Sequence, residues 1–136
     1  MRTVIVTGSA GLIGSETIKR FAKEGTRVVG IDNDMRARFF DPEASTKKTR
    51  DDLTAKVRNY EHYDLDIRDA SAVAELFKRH RGKIDTVVHT ALQPSHDWAA
   101  RESADRFYCQ CEWHTELARS GEKVFSRSAI YFYIDK

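Results

Sequence analysis

Glycines stand three residues apart at Gly8, Gly11 and Gly14, directly behind the β-branched run "TVIVT" of residues 3–7. A chain that leaves a strand, turns sharply and starts a helix gathers free backbone N–H groups and the positive end of the helix dipole at one point. That arrangement suits an anion such as a pyrophosphate. In such a turn Gly8 lets the chain reverse, Gly11 lets the backbone come close to the phosphates, and Gly14 lets the helix pack against the strand. Ser9, Ala10, Leu12 and Ile13 fill the turn between them. Asp32 ends the next β-branched run, "RVVGID", where a carboxylate can accept hydrogen bonds from an adenosine ribose. Three glycines alone mark any turn. A strand before them, a helix after them and an acidic residue closing the next strand together point to a dinucleotide-binding turn. The Asp32 charge would repel a 2′-phosphate and so favours NAD over NADP, although Arg36 and Arg38 would offset part of that repulsion.

Other constellations carry less chemistry. Cys109, Cys111 and His114 would share one helix, and their spacing fits no common zinc pattern, so no metal site is expected. His96 and Asp97 are adjacent, and neighbours rarely orient each other as a triad does. Their better role is to shape the mouth of the cofactor cleft. His89 closes a strand and reads as a partly buried structural histidine. The stretch "STKKTRDD" at 45–52 reads as a solvated helix face.

The elements that must position these residues follow from periodicity. Thr3–Thr7 reads as a buried strand, and apolar residues at 12, 13, 18, 21 and 22 make a helical stripe over Leu12–Lys23 that Gly25 stops. Arg27–Asp32 is a second strand, which completes a βαβ unit and implies a parallel sheet with a right-handed crossover. Asn33–Phe40 reads as a loop, and Pro42 to about Arg58 as a polar helix with Leu53 and Val57 on its thin apolar face. Further strands are expected at Tyr60–Asp64, Lys83–Thr90 and Lys123–Ile134. Helices are expected at Ala70–His80, with Asp69 as N-cap, and at Trp98–Ser120, with a loop at Gln93–Asp97 before the latter. The alternation is that of an α/β doubly wound, Rossmann-like parallel sheet, expected in the order 3-2-1-4-5.

Composition narrows the function classes. The chain has 136 residues, a length that suits one domain. Its 23 basic and 21 acidic residues are interspersed, for a net charge of +2, which is not the clustered basic footprint of a nucleic-acid binder. No apolar run approaches a membrane span of about 18 residues, and nothing resembles a signal peptide. Cys109 and Cys111 are too close for an ordinary structural bridge, so a cytoplasmic protein without disulfides is expected.

"TGSAGLIGS" has the spacing Gly-x-x-Gly-x-x-Gly and resembles the start of the extended short-chain dehydrogenase/reductase family, in particular its NAD-dependent sugar epimerases and dehydratases. "GIDN" at 30–33 is similar to the family's ribose-binding strand end, which implies a role for Asn33 beside Asp32. "DLDIRD" at 64–69 resembles its third-strand motif, which implies adenine contacts from Asp66 and Ile67. "VVHTALQPSHDWAA" at 87–100 resembles its fourth-strand segment and, in its wording, the branch of CDP-tyvelose-type nucleotide-sugar epimerases. That resemblance implies that Thr90, Ala91 and Gln93 line the cofactor on its ribose and nicotinamide side. The match covers about residues 1–107, and residues 108–136 read as a divergent tail of the same domain.

Several family features are missing. Leu92 stands where the family prefers a small residue, and Gln110, Trp113 and His114 replace an Asn-x-x-Gly-Thr segment. The family's catalytic Tyr-x-x-x-Lys, in which lysine lowers the tyrosine pKa for proton transfer, is absent. Tyr131 and Tyr133 precede Lys136 by five and three residues, and neither spacing puts both side chains on one helix face. The expectation is the NAD-binding portion of a nucleotide-sugar epimerase or dehydratase, truncated before its catalytic pair. A nucleotide sugar is a partner only of a complete enzyme. The alternatives are a non-catalytic NAD-binding module and an inactive fragment. A truncated sheet would expose a fifth strand carrying Tyr131, Phe132, Tyr133 and Ile134, and self-association through that edge is expected.

Overall fold

β1 (Thr3–Thr7) is buried at all five positions, as a strand covered on both faces must be. Its side chains alternate between two cores. Ile5 joins Val29, Ile31, Val73, Leu76, Phe77 and Val87 on one face. Val4 and Val6 join Val28, Ile18, Leu53, Tyr60 and Val88 on the other. Each fully buried large apolar side chain contributes roughly 1.5–3 kcal/mol, so these two clusters are the main reason the sheet holds together. The computed structural model describes residues 2–91 and 130–131. The expected loop at 93–97, the helix at 98–120, Gln93, Cys109, Cys111, His114 and most of the expected fifth strand lie outside them.

The order along the chain is β1, α1 (Leu12–Lys23), β2 (Arg27–Ile31), α2 (Met35–Phe39), a 3₁₀ turn (Pro42–Ala44), α3 (Lys47–Lys56), β3 (Tyr60–Tyr63), α4 (Ala70–Arg79), β4 (Ile84–His89) and β5 (Ile130–Tyr131). The sheet runs β3-β2-β1-β4-β5, the order expected from the sequence. Every pairing is parallel, with Thr7 opposite Ile31 of β2 and His89 of β4. α1 and α3 place Ile18 and Leu53 on one face, and α4 places Val73, Leu76 and Phe77 on the other. The winding therefore reverses between β1 and β4, and in such sheets the crevice at the strands' carboxyl ends takes the ligand.

Two expectations are corrected between β2 and β3. The expected loop at 33–40 contains the short helix α2. Its sequence "MRARF" has no glycine or proline and is rich in good helix formers. The expected single helix from Pro42 is two pieces, because the chain is extended at Ser45 (ψ 138°) before α3 begins. Asp41 caps the first piece by accepting a hydrogen bond from the Glu43 N–H at 3.1 Å.

Candidate functional site

The glycine turn is pinned to the end of β2 before α1 starts. The N–H groups of Gly8 and Ser9 both donate to the Ile31 carbonyl, at 2.8 and 3.2 Å. The Ala10 N–H then donates to Asp32 Oδ2 at 3.1 Å. Gly8 has φ +67°, a left-handed conformation that a side chain resists, and a Cβ there would lie 2.8–2.9 Å from the backbone of Thr90 and Ala91. At Gly14 a Cβ would collide with the Gly8 carbonyl and come within 3.0 Å of Ser9 Cα. The close approach at Gly14 is therefore to the turn itself as well as to the strand behind it. Among the described residues, an added Cβ at Gly11 meets only the Gly8 carbonyl oxygen, at 3.2 Å. Among the described residues no side chain caps α1, and no acidic residue stands in its first turn, while Arg20 and Lys23 stand in its last. The positive end of its dipole therefore has no neutralising side chain within that turn. Leu12, in that first turn, is 82% exposed.

A second latch holds β1 to β4. Thr7 Oγ1 shares a 2.6 Å hydrogen bond with His89 Nδ1 and accepts from the Ala91 N–H at 3.4 Å. Thr90 Oγ1 donates to the Thr7 carbonyl at 2.7 Å. Burial pushes His89 below the usual imidazole range and favours its neutral form.

Beside the turn lies a cleft of about 510 Å³. Ala10, Asp32, Asn33 and Asp34 form the wall nearest the glycines, and His62, Asp64 and Asp66 line it from β3 and the turn that follows. Arg38 of α2, with Thr46, Lys47 and Arg50 from the start of α3, completes it. Asp32 Oδ1 accepts from the Asp34 N–H at 2.8 Å, so one carboxylate organises both the glycine turn and the chain after β2. Tyr60 reaches up from β3, donating to Ser9 Oγ at 3.3 Å and lying 3.1 Å from His62 Nδ1. Gly30 leaves room for this contact, since a Cβ there would strike the Tyr60 hydroxyl and lie 2.7 Å from Ser9 Oγ. Burial, then the nearby Arg50 charge, lowers the His62 pKa, and the ring is neutral near pH 7. Burial acts to raise the Asp66 pKa, but the hydrogen bonds and charge of Arg68 outweigh it and hold the carboxylate ionised.

A dinucleotide fits these groups. The turn offers an open backbone face at Gly11 and an uncapped helix start, the cleft beside it offers polar groups to a nucleoside, and both sit at the carboxyl edge of the sheet. The model of the NAD dependent epimerase/dehydratase family matches residues 4–132. The chain belongs to that family. The family match runs past Phe107, where the motif pattern departs. Among relatives, the chain is 38% identical over 92 residues to a UDP-glucose 4-epimerase of Drosophila melanogaster, covering 65% of this chain and 25% of that protein. Among solved structures, it is similar to the UDP-Glc/GlcNAc 4-epimerase of Campylobacter jejuni, with TM-score 0.66 and 24% identity over 91% of this chain and 35% of that one. It is also similar to the Bordetella bronchiseptica enzyme WbmH, solved in complex with NAD+, with TM-score 0.63 and 22% identity over 90% of this chain and 36% of that one. The chain spans about a quarter of the length of the first curated epimerases it matches.

Of the residues that the family resemblance and the glycine motif single out, the structure gathers Ala10, Asp32, Asn33 and Asp66 around one cleft. Gly8, Ser9, Gly11, Leu12, Ile13 and Gly14 form the adjoining turn and helix start, and Thr90 and Ala91 close against Gly8 from β4. Ile67 packs on the core beneath instead of lining the cleft. Arg36 lies with its guanidinium carbon 5.8 Å from the centre of the Phe40 ring, and Arg38 is the arginine that reaches the cleft. The stretch at 45–52 is corrected from a solvated face, because Thr46, Lys47 and Arg50 all line the cleft. A usable signal was present in Ser45-Thr46, two good capping residues ahead of the helical pattern. Nothing in the spacing of Asp34 or His62 marks either as part of the site.

Proposed function

We propose that this chain is the NAD-holding portion of a nucleotide-sugar epimerase- or dehydratase-type oxidoreductase. The observation that carries this reading is the coupling of the Gly8–Gly14 turn to Asp32 through the Ala10 N–H, at the mouth of the polar cleft. The pyrophosphate belongs on the turn and the start of α1, with Gly8, Ser9, Ala10, Gly11, Leu12, Ile13 and Gly14 around it. The ribose belongs on Asp32 and Asn33, and the adenine beside Asp66. Thr90, Ala91 and Gln93 belong on the nicotinamide side, and Arg38 near the outer edge of the ribose. NAD, when bound, supplies a hydride acceptor and donor; these residues hold and orient it. NAD is preferred to NADP because carboxylates line the ribose end.

The 136 residues contain no Tyr-x-x-x-Lys, which favours a chain that binds cofactor without turning over a sugar by itself. A nucleotide sugar is then a ligand of the complete enzyme only. We also propose that a second copy pairs along β5, and that the protein works in the cytoplasm, as the close cysteine pair suggests. Titration with NADH, followed by nicotinamide fluorescence, is expected to saturate at one site per chain, and Asp32→Ala is expected to weaken binding at least tenfold. Absence of saturable binding would remove the proposal. Turnover of UDP-glucose by the purified chain would remove the non-catalytic part of it.

A further inference from the structure

Asp34 is the one described non-glycine residue with a left-handed backbone, at φ 56°. Aspartate tolerates that conformation better than most residues, but it still needs support. The support comes from its side chain. Oδ2 accepts from Ser45 Oγ at 2.7 Å, and Oδ1 accepts from the Thr46 N–H at 2.7 Å and from Thr46 Oγ1 at 3.1 Å. Two hydroxyls and a backbone N–H from one dipeptide thus converge on one anion. Arg38, Lys47 and Arg50 line the same cleft. Hydroxyls, a backbone N–H and cations together are the chemistry that recognises a phosphate. Burial acts to raise the Asp34 pKa, but the Thr46 N–H, the Ser45 and Thr46 hydroxyls and the Lys47 charge outweigh it, so the carboxylate stays ionised.

Asp32 is committed elsewhere. Its oxygens accept from the Ala10 and Asp34 N–H groups at 3.1 and 2.8 Å, which hold the glycine turn and the chain leaving β2, and the Thr46 hydroxyl lies farther from it, at 3.4 Å, than from Asp34, at 3.1 Å. Resting on the reading of this cleft as the adenosine seat of NAD, we infer that Asp34 is a specificity-determining residue. Its carboxylate fills, from within the chain, the anion seat between Ser45–Thr46 and the Arg38, Lys47 and Arg50 cations that a cofactor 2′-phosphate would need. The cleft then has four carboxylates, Asp32, Asp34, Asp64 and Asp66, facing three basic side chains. Removing Asp34 balances the two signs and frees the donors.

The test is the binding of NADH and NADPH to the full chain, wild type and variant, by nicotinamide fluorescence. Asp34→Gly and Asp34→Asn both suit the left-handed backbone. Asp34→Asn keeps the side-chain shape and removes the charge, and Asp34→Gly empties the seat. Wild type is expected to bind NADH at least tenfold more tightly than NADPH. In each variant that ratio is expected to fall at least tenfold, chiefly through tighter NADPH binding, and more in Asp34→Gly. Adding Arg38→Gln to Asp34→Gly is expected to reverse most of the gain for NADPH. If wild type binds NADH but the ratio stays within about twofold in both variants, or both cofactors weaken equally, the role of Asp34 is refuted and the reading of the cleft survives. If wild type binds neither cofactor, both fall. Circular dichroism identifies a variant that does not fold, and the other variant then decides.

Discussion

Glycine at 14 and glycine at 25 are alike in sequence and different in what they must do. A Cβ at Gly14 meets backbone, the carbonyl of Gly8 and Ser9 Cα, and backbone cannot step aside as a flexible side chain can. At Gly25 nothing among the described residues lies within 4 Å, and its φ of +76° is what resists a side chain. Gly14→Ala is therefore expected to destabilise by about 3 kcal/mol and to abolish NADH binding, because the turn must deform. Gly25→Ala is expected to cost about 1 kcal/mol, the penalty of a left-handed alanine, with binding kept. Urea denaturation with NADH titration of both variants checks the pair. The spacing of the glycines was legible in the sequence. The identity of the atoms that each one avoids was not, because Gly8 and Ala91 are brought together only by the pairing of β1 with β4.

Helices whose ends carry their own signals were the most readable elements. α4 was expected at Ala70–His80 behind Asp69, and it spans Ala70–Arg79 with Asp69 Oδ1 accepting from the Ala72 N–H at 3.1 Å. Asp69→Ala is expected to lower stability by about 1 kcal/mol with NADH binding kept, since the lost cap bond goes to Ala72 and Asp69 does not line the cleft. An unchanged urea midpoint would show that the cap bond contributes nothing. The segment from β2 to β3 was harder to read, and the reason is physical. Its chain path is set by bonds from Asp34 to Ser45 and Thr46, 11 and 12 residues away, and no local periodicity encodes such a contact. The same bonds separate the 3₁₀ turn from α3 and carry Lys47 and Arg50 to the cleft.

Over the whole molecule, pH acts through groups that burial has shifted. His62, His80 and His89 all lie below the usual imidazole value, each chiefly through burial. The unfolded chain therefore binds protons more readily than the folded one below about pH 6.5, and stability that is complete above that value is lost as pH falls. Asp34 and Asp66 are held low by hydrogen bonds and cations that outweigh burial, and Glu61 is held low by Tyr63 and Arg27. The stability these three contribute is present above the ordinary carboxylate range, about pH 4, and is lost as pH falls through their folded values. The urea midpoint is expected to be flat from about pH 7 to about pH 9, to fall from about pH 6.5 downward and to fall more steeply below about pH 4. A midpoint that rises on acidification from pH 7 to 5 would contradict the histidine assignment. At the far side of the sheet, β5 is the last strand among the described residues. If a second copy pairs along β5 as proposed above, the mass from light scattering is expected to rise with concentration. A constant monomer mass would count against pairing through that edge.

The sequence by itself determined the parallel α/β winding and the strand order, because strand periodicity, glycine spacing and caps are local and repeat in a recognisable sequence along the chain. It also marked the glycine turn and Asp32, since each stands at the end of a strand whose β-branched run is plain to read. Only the tertiary structure decided who else surrounds the cleft. Asp34, Thr46, Lys47, Arg50 and His62 come from elements scattered over about 30 residues and meet because β2 and β3 pair and α3 packs across them. Side-chain direction and long-range hydrogen bonding set that gathering, and neither is written in residue type or spacing.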